Sequence, residues 1–387
     1  MRLLRLSLTD FRNYASLTWR PRARIAVLAG PNGSGKTNLL EAVSLLVPGR
    51  GLRNARNADL PRRGGAGGWA VAGRFASNEG EIDIGTGTPP DGAPDRRVFR
   101  IDGAAPRSQA EIAAHVAAVW LTPQMDRLFL EPLSGRRRFL DRLVWALEPA
   151  HAREIAAHDA AMGSRNRLLA ERRDDASWLA GLEDAMARHA VAATAARMAL
   201  VSRLNGALDT GVTRGFPRVH IGLDCPIAER LAAEPALAVE DWLRAGLAAS
   251  RGRDAAAGGS ALGAHRADMR LSDAKRLPAE QASTGEQKTM LVGLVLAHAA
   301  LITEVRGFAP LLLLDEPAVH LDQQRRVALF DALLHLPVQT LITGTDPDLF
   351  APLAGLAETL RTGGGALAPE SPHPPLEPSC SPVPGAV

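Results

Sequence analysis

The chain has 387 residues, 46% of them hydrophobic, with a formal net charge of +3 and an isoelectric point of about 9.3. This suits two compact domains, or one with a large insertion, and a phosphate-bearing partner without demanding one. Two distant cysteines, Cys225 and Cys380, and ten scattered histidines exclude a metal or redox motif; the N-terminus lacks a signal peptide's apolar core, and no uninterrupted apolar stretch is long enough to span a bilayer.

In chain order, Leu4, Leu6 and Leu8 alternate with Arg5 and Ser7, which predicts a half-buried strand over residues 2–8. Asp10-Phe-Arg-Asn-Tyr14 reads as a turn, residues 15–20 as a second strand, and Ile25-Ala-Val-Leu-Ala29 as a third, fully buried one. That third strand runs into Gly30, Pro31, Asn32, Gly33, Ser34, Gly35, Lys36 and Thr37, a match to the Gly-x4-Gly-Lys-Ser/Thr phosphate loop. Apolar residues at helical spacing follow through Leu46, so the loop lies between strand and helix as the motif requires. Its glycines let backbone N–H groups turn inward on phosphates, and the helix N-terminus adds partial positive charge. By itself the loop implies a nucleoside triphosphate with Mg²⁺. Lys36 reaches the β- and γ-phosphates and the Thr37 hydroxyl ligates the metal. Lys36 is one of three lysines, with Lys275 and Lys288, among 45 Lys and Arg residues.

Residues 49–63 form a basic segment without periodicity that carries Arg50, Arg53, Arg56, Arg62 and Arg63. Strand candidates at 69–75, 80–84 and 96–101, around a Gly/Pro-rich loop at 85–95, predict an antiparallel region beside the nucleotide site. Residues 107–119 read as helix and end in the strand-like Val119-Trp-Leu121. Ser134 caps a predicted helix through Leu147 whose first turns hold Arg136, Arg137 and Arg138. Residues 150–174 and 177–210 read as two long helices packed as a hairpin. A strand at 217–223, a helix at 226–250 and a loose segment at 252–263 follow. From residue 363 onward the chain is Gly- and Pro-rich and is expected to be disordered.

Between these lies a second group of motifs. Ala309-Pro-Leu-Leu-Leu-Leu-Asp-Glu-Pro317 is a buried strand ending in two carboxylates, a Walker B pattern. Asp315 suits the Mg²⁺ shell and Glu316 a general base for the attacking water. Upstream, Ser283, Gly285 and Gln287 form a Ser-x-Gly-x-Gln element similar to the signature of ABC ATPases. There the serine and glycine, at a helix N-terminus, bind the γ-phosphate held by an opposite subunit. Asp322 stands where such proteins carry the D-loop, and Gln124 where a Q-loop reaches the metal. The switch histidine is absent after the strand 339–343, which leaves Thr343 or Thr345 to sense the γ-phosphate.

The expected fold is therefore α/β: an ABC-type P-loop ATPase head, with a mixed sheet and an antiparallel β-subdomain, plus an inserted, mostly helical lobe. Its expected division is 1–121 and 265–361 for the two halves of the head, 122–264 for the lobe and 362–387 for a tail.

The chain resembles the RecF family of DNA repair ATPases, in the wider SMC/Rad50-like group, from residue 1 to about 361. Leu6-Ser-Leu-Thr-Asp-Phe-Arg-Asn-Tyr14, Gly33-Ser-Gly-Lys-Thr-Asn-Leu-Leu-Glu-Ala42, Leu121-Thr-Pro through Asp141, and Gly263-Ala-His-Arg-Ala-Asp268 carry the resemblance. Two departures are Ala264, where the family has proline, and Asp315-Glu316, where many members have Asp-Asp. The two isolated cysteines suit a reduced, cytoplasmic setting, and the resemblance implies an ATP-dependent DNA-binding protein of recombinational repair, with no membrane partner. It implies a homodimer closed around ATP, affinity for single-stranded DNA and single–double-strand junctions, and action with RecO and RecR to help load RecA. The two arginine clusters are then candidate DNA-phosphate contacts, or ordinary solvated or salt-bridged arginines. An ATPase subunit that energises a transporter, or a DNA clamp that does not turn over nucleotide, are the alternatives.

Overall fold

The computed structural model describes residues 1–369 apart from 78–79, 90–91, 94, 172–174, 212 and 214. Strands β1 (Arg2–Phe11) and β2 (Tyr14–Trp19) form a hairpin whose turn residues Asp10 and Arg12 take φ of 44° and 53°. The expected alternation breaks once. Leu3, not Leu4, is buried with Leu6 and Leu8, because the pairing register shifts between Leu3 and Arg5. Such an irregularity moves a side chain to the other face.

Strand β3 (Ile25–Ala29) leads into helix α1 (Lys36–Ser44). Strands β4 (Ala70–Ser77), β5 (Gly80–Gly87) and β6 (Val98–Ile101) join the first hairpin in an antiparallel sheet of order β2-β1-β4-β5-β6. Helix α2 (Gln109–His115) and strand β7 (Ala118–Leu121) close the first half of the head.

A helical excursion follows: α3 (Leu133–Leu147), α4 (His151–Ala170) and α5 (Ala176–Asp209). Then come strand β8 (Val219–Asp224), helices α6 (Pro226–Leu231) and α7 (Ala236–Ala257), and strand β9 (Asp268–Asp273). The β8–β9 pair is a separate antiparallel ribbon, so β9, expected in the head, is paired with a strand of the excursion. Helix α5 belongs to both regions. Its early residues Met186, Ala190 and Val191 share a small core with Val239 and Leu243 of α7. Its later residues Leu200, Leu204 and Leu208 sit in the main core. A buried charge cluster fixes the lobe: the fully buried Arg165 donates to Glu183 at 3.0 Å, Asp254 at 2.8 Å and Ser260 at 2.8 Å. Buried charges are tolerated when paired and bonded in this way.

The head resumes with helix α8 (Thr284–Arg306), strand β10 (Leu311–Leu314), helix α9 (Gln323–His335) and strands β11 (Gln339–Gly344), β12 (Glu358–Gly363) and β13 (Ala366–Pro369). The second sheet has the order β13-β12-β3-β11-β10-β7, parallel except for its last hairpin. Its inner strands are buried on both faces, which is why they read as unbroken apolar runs. Helix α8 is long and apolar enough to cross a membrane by length and composition, with mean hydropathy 1.5, contrary to the expectation that no stretch qualifies. It is a core helix instead: 78% of that window is buried inside the protein.

The expected tail starts too early. Residues 362–369 continue into the β12–β13 hairpin at the sheet edge, where Thr362 is 1% exposed. Two glycines at 364 and 365 with positive φ make its turn, so glycine content here marks a hairpin. The remainder of the expected tail, 370–387, lies outside the described residues.

Candidate active site

Parallel strands β3, β11 and β10 end side by side, and their carboxyl ends carry the chemistry. The register places Gly344 beside Ala29, and the backbone N–H of Gly30 donates to Gly344. Gly30, Gly33 and Gly35 take φ of 152°, 80° and 106°, conformations that residues with a side chain rarely adopt. Gly35 has a second reason. A Cβ there would lie 2.4 Å from Asn13 Nδ2 and 2.9 Å from the Tyr14 hydroxyl. Buried Tyr14 donates to the Gly35 carbonyl at 3.1 Å, and burial pushes its phenol up to about 12. The Phe-Arg-Asn-Tyr turn is therefore a brace for the phosphate loop. Arg12 extends it with a two-point bond to the buried Glu41 of α1, at 2.8 and 2.7 Å. On the other side, Thr362 shares a 2.6 Å hydrogen bond with Ser34 and donates to Ala29 O at 3.2 Å.

Lys36 is 4% exposed and its ammonium donates to the Gly30 and Pro31 carbonyls at 2.6 and 3.1 Å. Glu316 stands 3.5 Å from the same nitrogen. Thr37 donates to Asp315 Oδ1 at 2.9 Å, and Thr343 donates to the same oxygen at 2.8 Å. The Thr343 hydroxyl also accepts from the Glu316 N–H at 2.9 Å. Of the two candidate sensors, Thr343 therefore touches both members of the carboxylate pair, while Thr345 is exposed. Among the described residues no cluster of three or more His, Cys, Asp or Glu could hold a metal on its own. The Thr37–Asp315 oxygens nevertheless fit Mg²⁺, which takes one carboxylate and completes its shell with phosphate and water oxygens.

Asp315 N donates to Leu121 O, so the segment after β7 abuts the same sheet end. Gln124 lies there, exposed, in the 3₁₀ turn Pro123–Arg127. Its neighbour Asp126 faces Lys288 of α8 at 3.4 Å; burial raises the carboxyl and lowers the ammonium from their usual values.

The signature element lies elsewhere. Exposed Ser283 caps α8 in a reciprocal box with Glu286. No hydrogen bond among the described residues joins Ser283–Gln287 to Gly30–Thr37. Gln287 departs from expectation. It is 2% exposed and its amide donates to Ala282 O at 2.9 Å, so it supports the turn from beneath and does not face outward. Gly285 is half-buried. Asp322 is exposed and caps α9, accepting from Arg325 N at 2.8 Å.

The arginine clusters divide. Arg136 is 7% exposed and forms a two-point bond to Asp268 at 2.7 and 2.9 Å, tying α3 to β9. It is not available to a nucleic-acid phosphate, because a helix residue on the buried face has its charge satisfied inside. Arg137 is half-buried, and burial lowers it from its usual value. Arg53 donates to Asn38 and Glu41, and Arg62 pairs with Asp10 at 2.7 Å. Arg50, Arg56, Arg63 and Arg138 are exposed. The Gly263–Asp268 segment is structural too: a Cβ at Gly263 would lie 2.8 Å from His158 Nε2, and Arg197 donates to Ala264 O at 2.7 Å.

Sequence reasoning passed over Thr362 and Glu41. The Lys288 signal was its rarity; Thr362 carried none, since it sat in a stretch read as tail.

A phosphate loop after β3, a carboxylate pair after the parallel strand β10 two places along the sheet, and a capped signature helix define an ABC-type ATPase head. A family model described as the RecF/RecN/SMC N terminal domain matches residues 2–356. The chain is 46% identical to the DNA replication and repair protein RecF of Allorhizobium ampelinum, over 94% of this chain and 98% of that one. It is equally 46% identical to that of Mesorhizobium japonicum, over 94% and 97%. The solved structure of the recombination mediator protein RecF with ATPrS, in the RecFOR pathway, matches the fold with a TM-score of 0.83 at 21% identity, covering 96% of this chain and 98% of that one. The chain belongs to the RecF family.

Proposed function

We propose that this chain is an ATP-gated DNA-binding switch of recombinational repair: two copies close on ATP, grip DNA, and reopen after slow, DNA-stimulated hydrolysis. The observation that carries the reading is the division of the site. Lys36, Thr37, Asp315, Glu316 and Thr343 converge at one end of the parallel sheet, while exposed Ser283 caps the core helix α8 with no hydrogen bond to that loop. A second copy's Ser283 and Gly285 then complete the phosphate shell. The solved relative, a recombination mediator protein in the RecFOR pathway, supports RecO and RecR as partners; RecA loading on gapped DNA and a cytoplasmic setting complete the proposal. Exposed Arg50, Arg56, Arg63 and Arg138 are the phosphate-contact candidates.

The chemistry follows from the resting contacts. The loop's N–H groups and Lys36 bind the β- and γ-phosphates, and Lys36 exchanges the Gly30 and Pro31 carbonyls for phosphate oxygens. That exchange takes the ammonium off Glu316, whose carboxylate is then available to accept a proton from the attacking water. The water oxygen bonds to the γ-phosphorus, the bond to the β-bridging oxygen breaks, and ADP and phosphate leave. Thr37 and Asp315 would hold Mg²⁺, which neutralises phosphate charge. Thr343 keeps Asp315 and Glu316 in fixed relation throughout.

The test is size analysis with ATP, ADP or no nucleotide, with and without gapped DNA, on the wild type, Lys36→Ala and Ser283→Arg. ATP-dependent dimers and salt-sensitive DNA binding are expected of the wild type alone. Normal ATP binding by Lys36→Ala, or intact ATP-dependent dimers in Ser283→Arg, would overturn it.

A further inference from the structure

Lys288 stands apart from the groups that face the nucleotide. It lies about one turn beyond the Ser283 cap on α8 and is 2% exposed. Its ammonium donates to the Glu316 carbonyl at 3.3 Å and to Asp126 Oδ2 at 3.4 Å. Those partners belong to two further segments: Glu316 follows β10, and Asp126 shares its turn with Gln124. The other oxygen of Asp126 is buried without a hydrogen-bond partner, so Lys288 carries the pairing of that carboxylate.

Glu316 needs holding. Its φ of 51° is left-handed, a conformation that residues with a side chain avoid. The clamps are visible at both ends of the residue. Its N–H donates to Thr343, and its carbonyl accepts from Lys288 and, at 3.3 Å, from the Val319 N–H. The conformation aims the carboxylate at Lys36.

We propose that Lys288 is a positioning residue for hydrolysis: it holds the Glu316 peptide in its left-handed conformation and ties it to the helix bearing Ser283 and the turn bearing Gln124. Lys288 acts through Glu316 and does not touch the phosphates. The inference rests on Glu316 as the base proposed above. It predicts a defect in turnover that leaves nucleotide binding nearly untouched, because among the described residues Lys288 bonds to Asp126 and the Glu316 carbonyl and not to the phosphate loop.

The experiment uses the full chain with Lys288→Met, Asp126→Asn, the double variant and Glu316→Gln. Steady-state ATP turnover, affinity for a fluorescent ATP analogue and thermal melting are measured for each. Lys288→Met is expected to lower kcat at least about tenfold, with analogue affinity within about threefold of wild type. Asp126→Asn shows a smaller loss with the same split, and the double variant is no worse than Lys288→Met, as expected for residues acting as a unit. An unchanged kcat, or a loss explained by weaker nucleotide binding, overturns the proposal. If Lys288→Met does not fold, Asp126→Asn decides by the same criterion. Glu316→Gln separates the two readings. Full turnover there removes Glu316 as base, whereas an inactive Glu316→Gln beside a fully active Lys288→Met removes only the role of Lys288.

Discussion

Arg136 offers the sharpest separation of a structural arginine from a nucleic-acid contact. Its guanidinium meets both oxygens of Asp268 at 2.7 and 2.9 Å, and the two side chains are only 9% and 7% exposed. Arg136→Met removes the cation but leaves the carboxylate in place, and breaking a buried pair from one side costs about 3–5 kcal/mol. In urea, with a slope of about 3 kcal/mol/M or more for a chain this long, the midpoint drops by roughly 1 M. Arg136→Met with Asp268→Leu leaves no lone charge and recovers most of that loss, because apolar replacement of both partners is often neutral or better. The assay is urea unfolding of the three proteins, paired with DNA affinity measured across a salt series at a temperature where all are folded. Arg136 contributes no phosphate contact, so the slope of log affinity against log salt stays at the wild-type value, whereas Arg63→Ala lowers it by about one. A normal urea midpoint with a reduced salt slope in Arg136→Met would refute the reasoning.

Three further outcomes are expected. Gly35→Ala must place a Cβ 2.4 Å from Asn13 and hold φ near 106°, so ATP-analogue affinity falls more than about tenfold by titration. Wild-type affinity there would remove the brace. Thr362→Val deletes the bonds to Ser34 and Ala29, costing about 1–2 kcal/mol, seen as a lower melting temperature and several-fold weaker analogue binding; unchanged values would detach the last hairpin from the site. His298 is 1% exposed, donates from its Nε2–H to Leu143 O at 2.9 Å, and is lowered by burial to about 4. The unfolded imidazole binds a proton below about 6.5 while the folded one stays neutral, so stability falls as pH drops from about 6.5 to about 4 and the loss then levels off. The full loss is about 3 kcal/mol, and His298→Gln flattens that stretch of the stability–pH curve; a curve as steep as wild type would contradict it.

Much of the site was legible because its chemistry is local. The phosphate loop needs glycines, a lysine and a threonine in one short run between strand and helix, and the carboxylate pair needs a buried strand just before it. Both are patterns of adjacent residues, and Gly30–Thr37 and Asp315–Glu316 stand together in the folded chain. The long helices were legible for a similar reason: the expected 177–210 helix is Ala176–Asp209. What failed was the side on which residues point. Arg136 was a candidate phosphate contact and Gln287 a member of the signature, yet both lie on buried faces of their helices, where Asp268 pairs the guanidinium and Ala282 O accepts from the Gln287 amide. Leu3 replaced Leu4 because a register irregularity reset the alternation.

Local sequence thus determined where the glycine-rich loop lies, which strand ends in acid and which helices run long, because propensity and motif geometry act over a few residues. The tertiary structure decided the partners. Asp268 lies far along the chain from Arg136, Thr362 from Ser34, and Lys288 from Asp126, and only packing brings each pair within bonding distance. Buried charge and hydroxyl groups take whatever partner the fold delivers, so their roles follow from contact and not from spacing. The phosphate loop itself illustrates the division: its own residues supply the donors, while Tyr14, Thr362 and Thr343 hold the loop and its carboxylates where those donors can be used.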